Sequence, residues 1–395
     1  MDAERGREPA DPPFPRVEAV VPHELGEGRL VEGVPNGPPQ RVLRIDATGV
    51  PPTLLGRLLV GSYITGQDQI LVTAEGGLTT PQRAEIRHTV HRLLGMSVVD
   101  DSAAAVEIEN FIDPGKYELP RLLHRVVEML RVELETCREA LQGRGAAMLE
   151  RVETFEEEID QLYLLMVRQL LLSSDDSRIA RDINVVSHHY QIGYRLVAKV
   201  LEVTGDLVHG IGSDLRENLD GLRRMPRPLP QEIVGRLHRL EGILEQTMTA
   251  FTTLSVVKAN ATLDTIAEAL REEGGLSQLI SRRVSDQKVA AAAHRIAVHL
   301  EMALEMLVIV NETTINRSVE PETVAHTGSR AVPSWACDND PPAPGAPDRQ
   351  PTVRPPVVTV RSSTRGSVAP MVSLRRLRGP RRRGWRPGGR SKRLD

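Results

Sequence analysis

The sequence is poor in aromatic residues and in cysteine, and both shortages narrow the choice of fold. Aromatic side chains make up 3% of the 395 residues, so leucine, valine, isoleucine and alanine supply most of the apolar mass. That composition suits packed helices better than a β-sandwich or barrel. Cys137 and Cys337 stand about 200 residues apart, without a C-x-x-C pair. We therefore expect a mainly α protein that has neither a disulfide framework nor a thiolate zinc site.

Long apolar runs and the common catalytic motifs are also missing. No stretch of about 18 uncharged apolar residues occurs, and the first residues, MDAERGREPADPP, are acidic where a signal peptide is basic and then apolar. We expect a cytoplasmic protein with no membrane span. The motifs G-x-x-x-x-G-K-[ST], G-x-S-x-G, H-E-x-x-H and G-x-G-x-x-G are absent from the sequence. Because no nucleophile or tuned acid–base pair stands out, the sequence does not favour an enzyme.

Hydrophobic periodicity divides the ordered part of the chain into two regions. Residues 41–112 alternate short apolar runs with two helical patterns, which predicts a small α/β domain of order βαβαββ. Its second helix should begin at Thr79 or Thr80, with Pro81 in the first turn and Gly95 past the end. The following 200 or so residues have helical spacing. The predicted helices are 118–142, 147–173, 184–222, 231–255, 258–272 and 286–319.

The break RMPRPLP, after the third of these helices, divides them into two sets of three. The sequence therefore predicts two tandem three-helix bundles, at 116–222 and 231–320. Residues 1–40 and 325–395 are rich in proline, glycine and charge, so we expect a disordered leader and a disordered tail. The last 25 residues carry ten arginines and lysines against one aspartate, and would meet nucleic acid or an acidic membrane surface only nonspecifically.

Two of the predicted helices carry acidic residues four positions apart. Glu156 and Asp160 lie in the second helix, and Glu202 and Asp206 lie in the third, with His209 three positions further on. At about 100° per residue, the last three fall within roughly 60° of one another. Antiparallel helices can bring such stripes together, and facing carboxylates bind divalent or trivalent cations. Such pairs are also common on solvated faces, so the spacing leaves a metal site and a wet surface both open.

Two segments in these helices, EEEIDQLYLLMVRQLL and YRLVAKVLEVTGDLVHGIGSDL, resemble the PhoU family of phosphate-uptake regulators in its archaeal form. The likeness continues through LLVGSYITGQDQILV, LTTPQRAEIRHTVHRLLGMSVVD and INRSV, and covers about residues 42–320. The family pattern has an acid-x-x-x-D pair in the second helix of each bundle and Y-R-x-x-A-x-x-L-E-R-x-x-D in the third. The matching residues are Glu156 and Asp160, then Tyr194, Arg195, Ala198, Leu201, Glu202 and Asp206.

The resemblance implies a metal-binding, cytoplasmic regulator that negatively controls phosphate uptake. Family members bind iron, zinc or other ions through these acid clusters. They act with the ATPase subunit of the phosphate ABC transporter and, in many bacteria, with a sensor histidine kinase. We therefore expect metal ions as cofactors, whether iron, zinc, magnesium or manganese, the transporter ATPase subunit or a signalling protein as partner, and a homo-oligomer.

The sequence departs from the family pattern at several positions. Val203 replaces the usual arginine, and Leu207 stands where a histidine often follows the aspartate. The second bundle is more divergent, and we expect it to bind metal more weakly. Many archaeal relatives begin with an AbrB-type DNA-binding domain, and residues 1–40 show nothing similar, so direct transcription-factor activity is not expected. The positions that match in the second bundle are Asn260, Asp264, Glu301 and Glu305.

Two alternative functions stay open beside the regulator: a carboxylate-bridged metal enzyme of helical-bundle type, and a purely structural helical scaffold. Enzymes of the first kind generally use Glu-x-x-His pairs from two helices, and no such pair recurs here. Metal content separates the scaffold from the other two functions, and oxygen-dependent turnover separates the enzyme from the regulator. The candidate metal ligands are Glu156, Asp160, Glu202, Asp206, His209, Asp264, Glu301 and Glu305.

Overall fold

The computed structural model describes residues 17–20, 41–185 and 187–319. The strands of this part of the chain are β1 (Val17–Val20), β2 (Val42–Asp46), β3 (Gln69–Thr73), β4 (Met96–Asp101) and β5 (Ala105–Asn110). They form one five-stranded sheet in the order β1-β2-β3-β5-β4. β2 and β3 are parallel, because a helix connects them, and the other neighbouring pairs are antiparallel.

Two helices, α1 (Pro52–Ile64) and α2 (Thr80–His91), pack against each other and share one hydrophobic core with the sheet. Burial alternates along β3, as period-two spacing requires when one face of a sheet is covered. α2 begins with a capping box, in which Thr79 and Gln82 satisfy each other's backbone amides. The order from β2 to β5 confirms the predicted βαβαββ domain.

The predicted disorder of residues 1–40 is wrong for one short segment. β1 lies inside that range and pairs antiparallel with β2, from Val17 opposite Ile45 to Val20 opposite Val42. Four residues are too few to give a periodic signal, and the strand exists because the edge of β2 offers unpaired backbone groups. The rest of the predicted leader and the predicted tail lie outside the described residues.

The remaining described residues form six long α-helices, one short α-helix and one short 3-10 helix, Ala146–Arg151. α3, α4 and α6 pack together as one three-helix bundle, and α7, α8 and α9 as a second; the bundles meet where α6 packs along α9 and α3 along α7. Both contribute to a single hydrophobic core. This confirms the mainly α architecture predicted from the sequence. The helices are α3 (Leu119–Leu141), α4 (Val152–Asp175), α5 (Ser177–Asp182), α6 (His188–Arg223), α7 (Leu229–Thr253), α8 (Val256–Arg283) and α9 (Gln287–Ser318).

The predicted end of the fifth long helix at residue 272 is wrong. α8 continues through Gly274 and Gly275 to Arg283. Glycine costs a helix roughly 1 kcal/mol per residue relative to alanine, which is why the pair suggested a break. Leu276 and Ile280 continue the buried stripe of α8 at helical spacing and are almost fully buried. Core packing beyond the glycines therefore outweighs their weak helix propensity.

α4 also contacts the small α/β domain, through the side chain of Arg168. The Arg168 guanidinium, 1% exposed, donates to the backbone oxygens of Tyr63 and Gln67 at 2.7 and 2.9 Å. It also forms an ion pair with Asp68 at 2.9 Å. These contacts fix the sheet domain to the same helix that bears two of the candidate metal ligands. Within the described residues, no helix is both long and apolar enough to cross a bilayer.

Candidate metal centre

α4 and α6 run antiparallel, and contacts at successive levels set which of their residues face each other. Near the end of α4, the Gln191 side-chain amide donates to the Ser173 hydroxyl at 3.0 Å. Nearer its middle, the Lys199 ammonium lies 5.2 Å from the centre of the Tyr163 ring. The same register, continued toward the start of α4, places the first turns of that helix beside the middle of α6.

Gly205 is the close-packing point of the three helices at that level. A Cβ atom built on Gly205 would lie 3.2 Å from the side chain of Ile159 on α4 and 3.8 Å from that of Leu130 on α3. The missing side chain thus lets α4 approach α6. Asp160 and Asp206 each follow one of the residues in this contact, and are brought together by it.

Three carboxylates meet beside this contact. Oxygen atoms of Glu156, Asp160 and Asp206 lie within 4.8 Å of one another. Glu156 and Asp160 are partly buried, and Asp206 is exposed. Although Asp206 is exposed overall, its pKa is raised to about 6, first by partial desolvation of the carboxyl group and then by the negative charges of Glu202, Asp160 and Glu156. The group therefore carries negative charge that the protein neutralises only in part.

A fourth carboxylate, Glu133, interacts electrostatically with Glu156 of this group. Glu133 on α3 is 0% exposed, and neither of its side-chain oxygens has a hydrogen-bond partner among the described residues. Burial and, to a smaller extent, the negative charge of Glu156 together raise its pKa to about 8. A buried, charged carboxylate without a donor is costly, so Glu133 is held neutral by a proton unless a positive partner offsets its charge.

Two basic side chains border the group. Arg92, at the C-terminus of α2 in the small domain, forms an ion pair with Asp160 at 2.9 Å. Lys199 pairs with Glu202 on its own helix. The charge of Lys199 also lowers the pKa of Asp206 in part. The positive charge around the site therefore comes from two domains.

Glu202 and His209 were predicted as ligands but lie outside the group of three carboxylates. Glu202 is engaged by Lys199, one turn earlier on α6. The Nε2 of His209 is 3.3 Å from the hydroxyl of Ser213, one turn later on α6. The neighbouring Gly210 packs against the ring of His299 on α9. The sequence could not reveal this, because the seam between α6 and α9 depends on how the two bundles pack.

The predicted ligands of the second bundle do not converge in the same way. Asp264 is exposed and its side chain accepts from the Asn260 amide at 3.4 Å, while Glu301 and Glu305 are exposed on α9. No second group of three His, Cys, Asp or Glu with comparable spacing occurs in the described ranges. The buried acid of this bundle is Glu273, which pairs with Arg236 at 3.1 Å.

Glu133 was missed by the sequence analysis, although its position carries a signal. It lies in the buried stripe of α3, between Leu130 and Cys137 at helical spacing, where an apolar residue is expected. A charged residue at a core position is rare unless it is paired or binds a metal. Acid pairs at i, i+4 do not reveal Glu133, because no acidic residue lies three or four positions away from it on α3.

The donor chemistry of the four acids fits a hard cation. All four offer carboxylate oxygens, which are the ligands preferred by magnesium, manganese and calcium and accepted by iron. Glu133, Glu156, Asp160 and Asp206 come from three helices, so a cation held among them would join α3, α4 and α6. The group could therefore hold a metal ion.

Comparisons with known proteins add no assignment to this geometry. No protein-family model matches the chain, and no curated protein matches it.

Proposed function

We propose that the chain is a PhoU-like, metal-binding regulator that negatively controls phosphate uptake through contacts with other proteins. The observation that carries the proposal is the meeting of Glu156, Asp160 and Asp206 beside the unpartnered, fully buried Glu133. Several acids forced together without enough positive charge are destabilising unless a cation binds them.

In this proposal Glu156, Asp160 and Asp206 hold the cation, and Glu133 completes its surroundings from α3. When bound, the cation supplies positive charge that offsets the mutual repulsion of these carboxylates. Arg92 and Lys199 offset part of the negative charge of the site through their ion pairs, so the cation has less negative charge to balance. The metal is iron, manganese, magnesium or zinc; the all-oxygen donor set favours the harder ions of this group.

A regulator is favoured over the alternative metal enzyme by the ligands themselves. Di-iron enzymes built on helical bundles use histidines from Glu-x-x-His pairs together with glutamates. The group of three carboxylates contains no histidine, and His209, the histidine predicted as a ligand, contacts the Ser213 hydroxyl instead. A cation surrounded by oxygens and linking three helices is suited to setting the shape of a docking surface.

The link to phosphate uptake comes from the resemblance of α4, α6 and the small domain to the PhoU family. The proposed partner is the ATPase subunit of a phosphate ABC transporter or a signalling protein of the same system. The two three-helix bundles agree with the bundle pattern of that family, whereas the small α/β domain was predicted from periodicity alone. The protein would act in the cytoplasm as a homo-oligomer.

Elemental analysis combined with phosphate-uptake assays tests the proposal. Purified wild-type protein should contain stoichiometric metal, and the double variant E156Q/D206N should contain none while keeping its helical content. Cells that carry this variant should take up phosphate as freely as cells that lack the protein. The matched control D264N/E305Q removes the same number of acids from the second bundle, and should keep both the metal and the repression.

Four results would contradict the proposal. Metal retained by E156Q/D206N would place the ion elsewhere, and metal-free wild-type protein would support a structural scaffold. Oxygen-dependent turnover by the metal-loaded protein would support the enzyme. Normal repression by the metal-free variant would separate the metal from regulation.

A further inference from the structure

The small domain contacts the helical bundle directly at the candidate metal centre. The turn that follows α2 contains Arg92, whose side chain is 48% exposed and pairs with Asp160 at 2.9 Å. One residue earlier, the backbone oxygen of His91 accepts from the Gln161 amide at 3.4 Å. The small domain therefore contacts the bundle at one of the three carboxylates that define the site.

The apolar residues beside Arg92 connect the two cores. Leu93 belongs to the core of the small domain, and Leu94 packs against the helical core. The Tyr63 hydroxyl donates to the backbone oxygen of Leu94 at 2.9 Å, which ties this turn to the end of α1. Arg92 thus lies next to a packed segment that contacts the cores of both domains.

We infer that Arg92 competes with the bound cation for Asp160, so that cation binding weakens the hold of the small domain on α4 at this point. The inference rests on the proposed metal centre and adds its regulation. A cation that Asp160 holds would lie within a few Å of the guanidinium, and like charges repel. The coupling is reciprocal, because a change in one equilibrium must appear in the other.

The chain supplies a matched control for this effect. Arg41 also joins the small domain to α4, through an ion pair with Asp175 at 3.3 Å. Asp175 lies 15 residues beyond Asp160 on the same helix, about 22 Å away at 1.5 Å per residue. That separation exceeds the screening length of about 8 Å in physiological salt. Loss of Arg41 removes one positive charge and one interdomain ion pair without changing the charge near the site.

Titration calorimetry with Mn²⁺ measures the coupling on the full chain. R92Q should bind Mn²⁺ about fivefold to tenfold more tightly than wild type, the size expected for one nearby, partly exposed charge. R41Q should bind it as wild type does. K199Q, which removes a positive charge on the bundle itself, should also tighten binding.

Hydrogen exchange separates interdomain coupling from simple repulsion. Mn²⁺ should speed exchange of the amides at residues 89–94 in wild type and in K199Q. In R92Q these amides should exchange fast with or without the metal. Mn²⁺ binding that is unchanged or weaker in R92Q would overturn the inference, as would wild-type exchange that is insensitive to Mn²⁺.

The failure of the inference can be told apart from failure of the proposed function. If wild type binds Mn²⁺ and E156Q/D206N does not, the metal centre stands, and the R92Q result alone decides the coupling. If wild type and E156Q/D206N bind Mn²⁺ equally, or neither binds it, both the metal centre and the coupling are wrong.

Discussion

The two three-helix bundles each bury a glutamate, and they treat it in opposite ways. Glu133 in the first bundle has no donor and faces the like charge of Glu156. Glu273 in the second bundle is paired with Arg236, a cation that the protein itself supplies. In our proposal the first bundle takes up an external cation, whereas the second supplies its own positive charge through Arg236.

Removal of the internal cation should produce the largest effect on stability. R236M leaves Glu273 buried without a partner, which typically costs about 3 to 5 kcal/mol. Urea unfolding should show this loss at pH 7. R239Q breaks the exposed pair of Arg239 with Glu272 and should cost less than about 1 kcal/mol. Equal losses of unfolding free energy in the two variants would show that the burial of Glu273 does not make its ion pair more important for stability than the exposed pair.

Replacing Glu133 by a neutral residue should instead raise the free energy of unfolding, and the size of the increase should depend on pH. The pKa of Glu133 is about 8 in the folded protein against an ordinary 4.5, so its proton is held on folding. In metal-free protein the free energy of unfolding should therefore fall as pH rises from about 4.5 to 8, because the unfolded chain loses that proton first. E133Q removes this loss.

We expect E133Q to gain about 2 to 3 kcal/mol relative to wild type between pH 5 and pH 8, when both are unfolded by urea with a chelator present. The comparison across pH cancels any constant cost of burying the amide. The same wild-type-to-variant difference at both pH values would mean that folding does not raise the pKa of Glu133.

The close approach of α4 and α6 should be sensitive to one methyl group. G205A places a Cβ 3.2 Å from Ile159, and we expect it to be about 1 to 2 kcal/mol less stable than G242A and to bind Mn²⁺ more weakly. Gly242 on α7 has nothing within 4 Å of its Cβ position, so G242A gains helix propensity freely. Thermal unfolding and calorimetry measure both effects. Equal stability and affinity in the two variants would show that Gly205 does not set the distance between the helices.

Much of the fold could be predicted because the periodicity is strong and the breaks are clear. The sequence predicted the βαβαββ order and six long helices, and it failed at Gly274 and Gly275, where distant packing outweighs local propensity. It missed β1 because a four-residue strand depends on the edge that it joins.

The residues of the candidate site could also be predicted only in part. Glu156 and Asp160 share one helix face by their spacing, and an antiparallel partner brings in Asp206, so these three could be predicted. Glu202 and His209 could not be placed, because their surroundings depend on the Lys199 ion pair and on the packing of α6 against α9. Arg92 could not be predicted either, since it comes from another domain.

Anomalous diffraction from crystals soaked in Mn²⁺ tests the central claim most directly. The account predicts one strong peak bonded to oxygens of Glu156, Asp160 and Asp206 at about 2.0 to 2.6 Å, the range for hard cations and oxygen ligands. A peak at Glu301 and Glu305 instead, or no peak in the first bundle at saturating Mn²⁺, would contradict it.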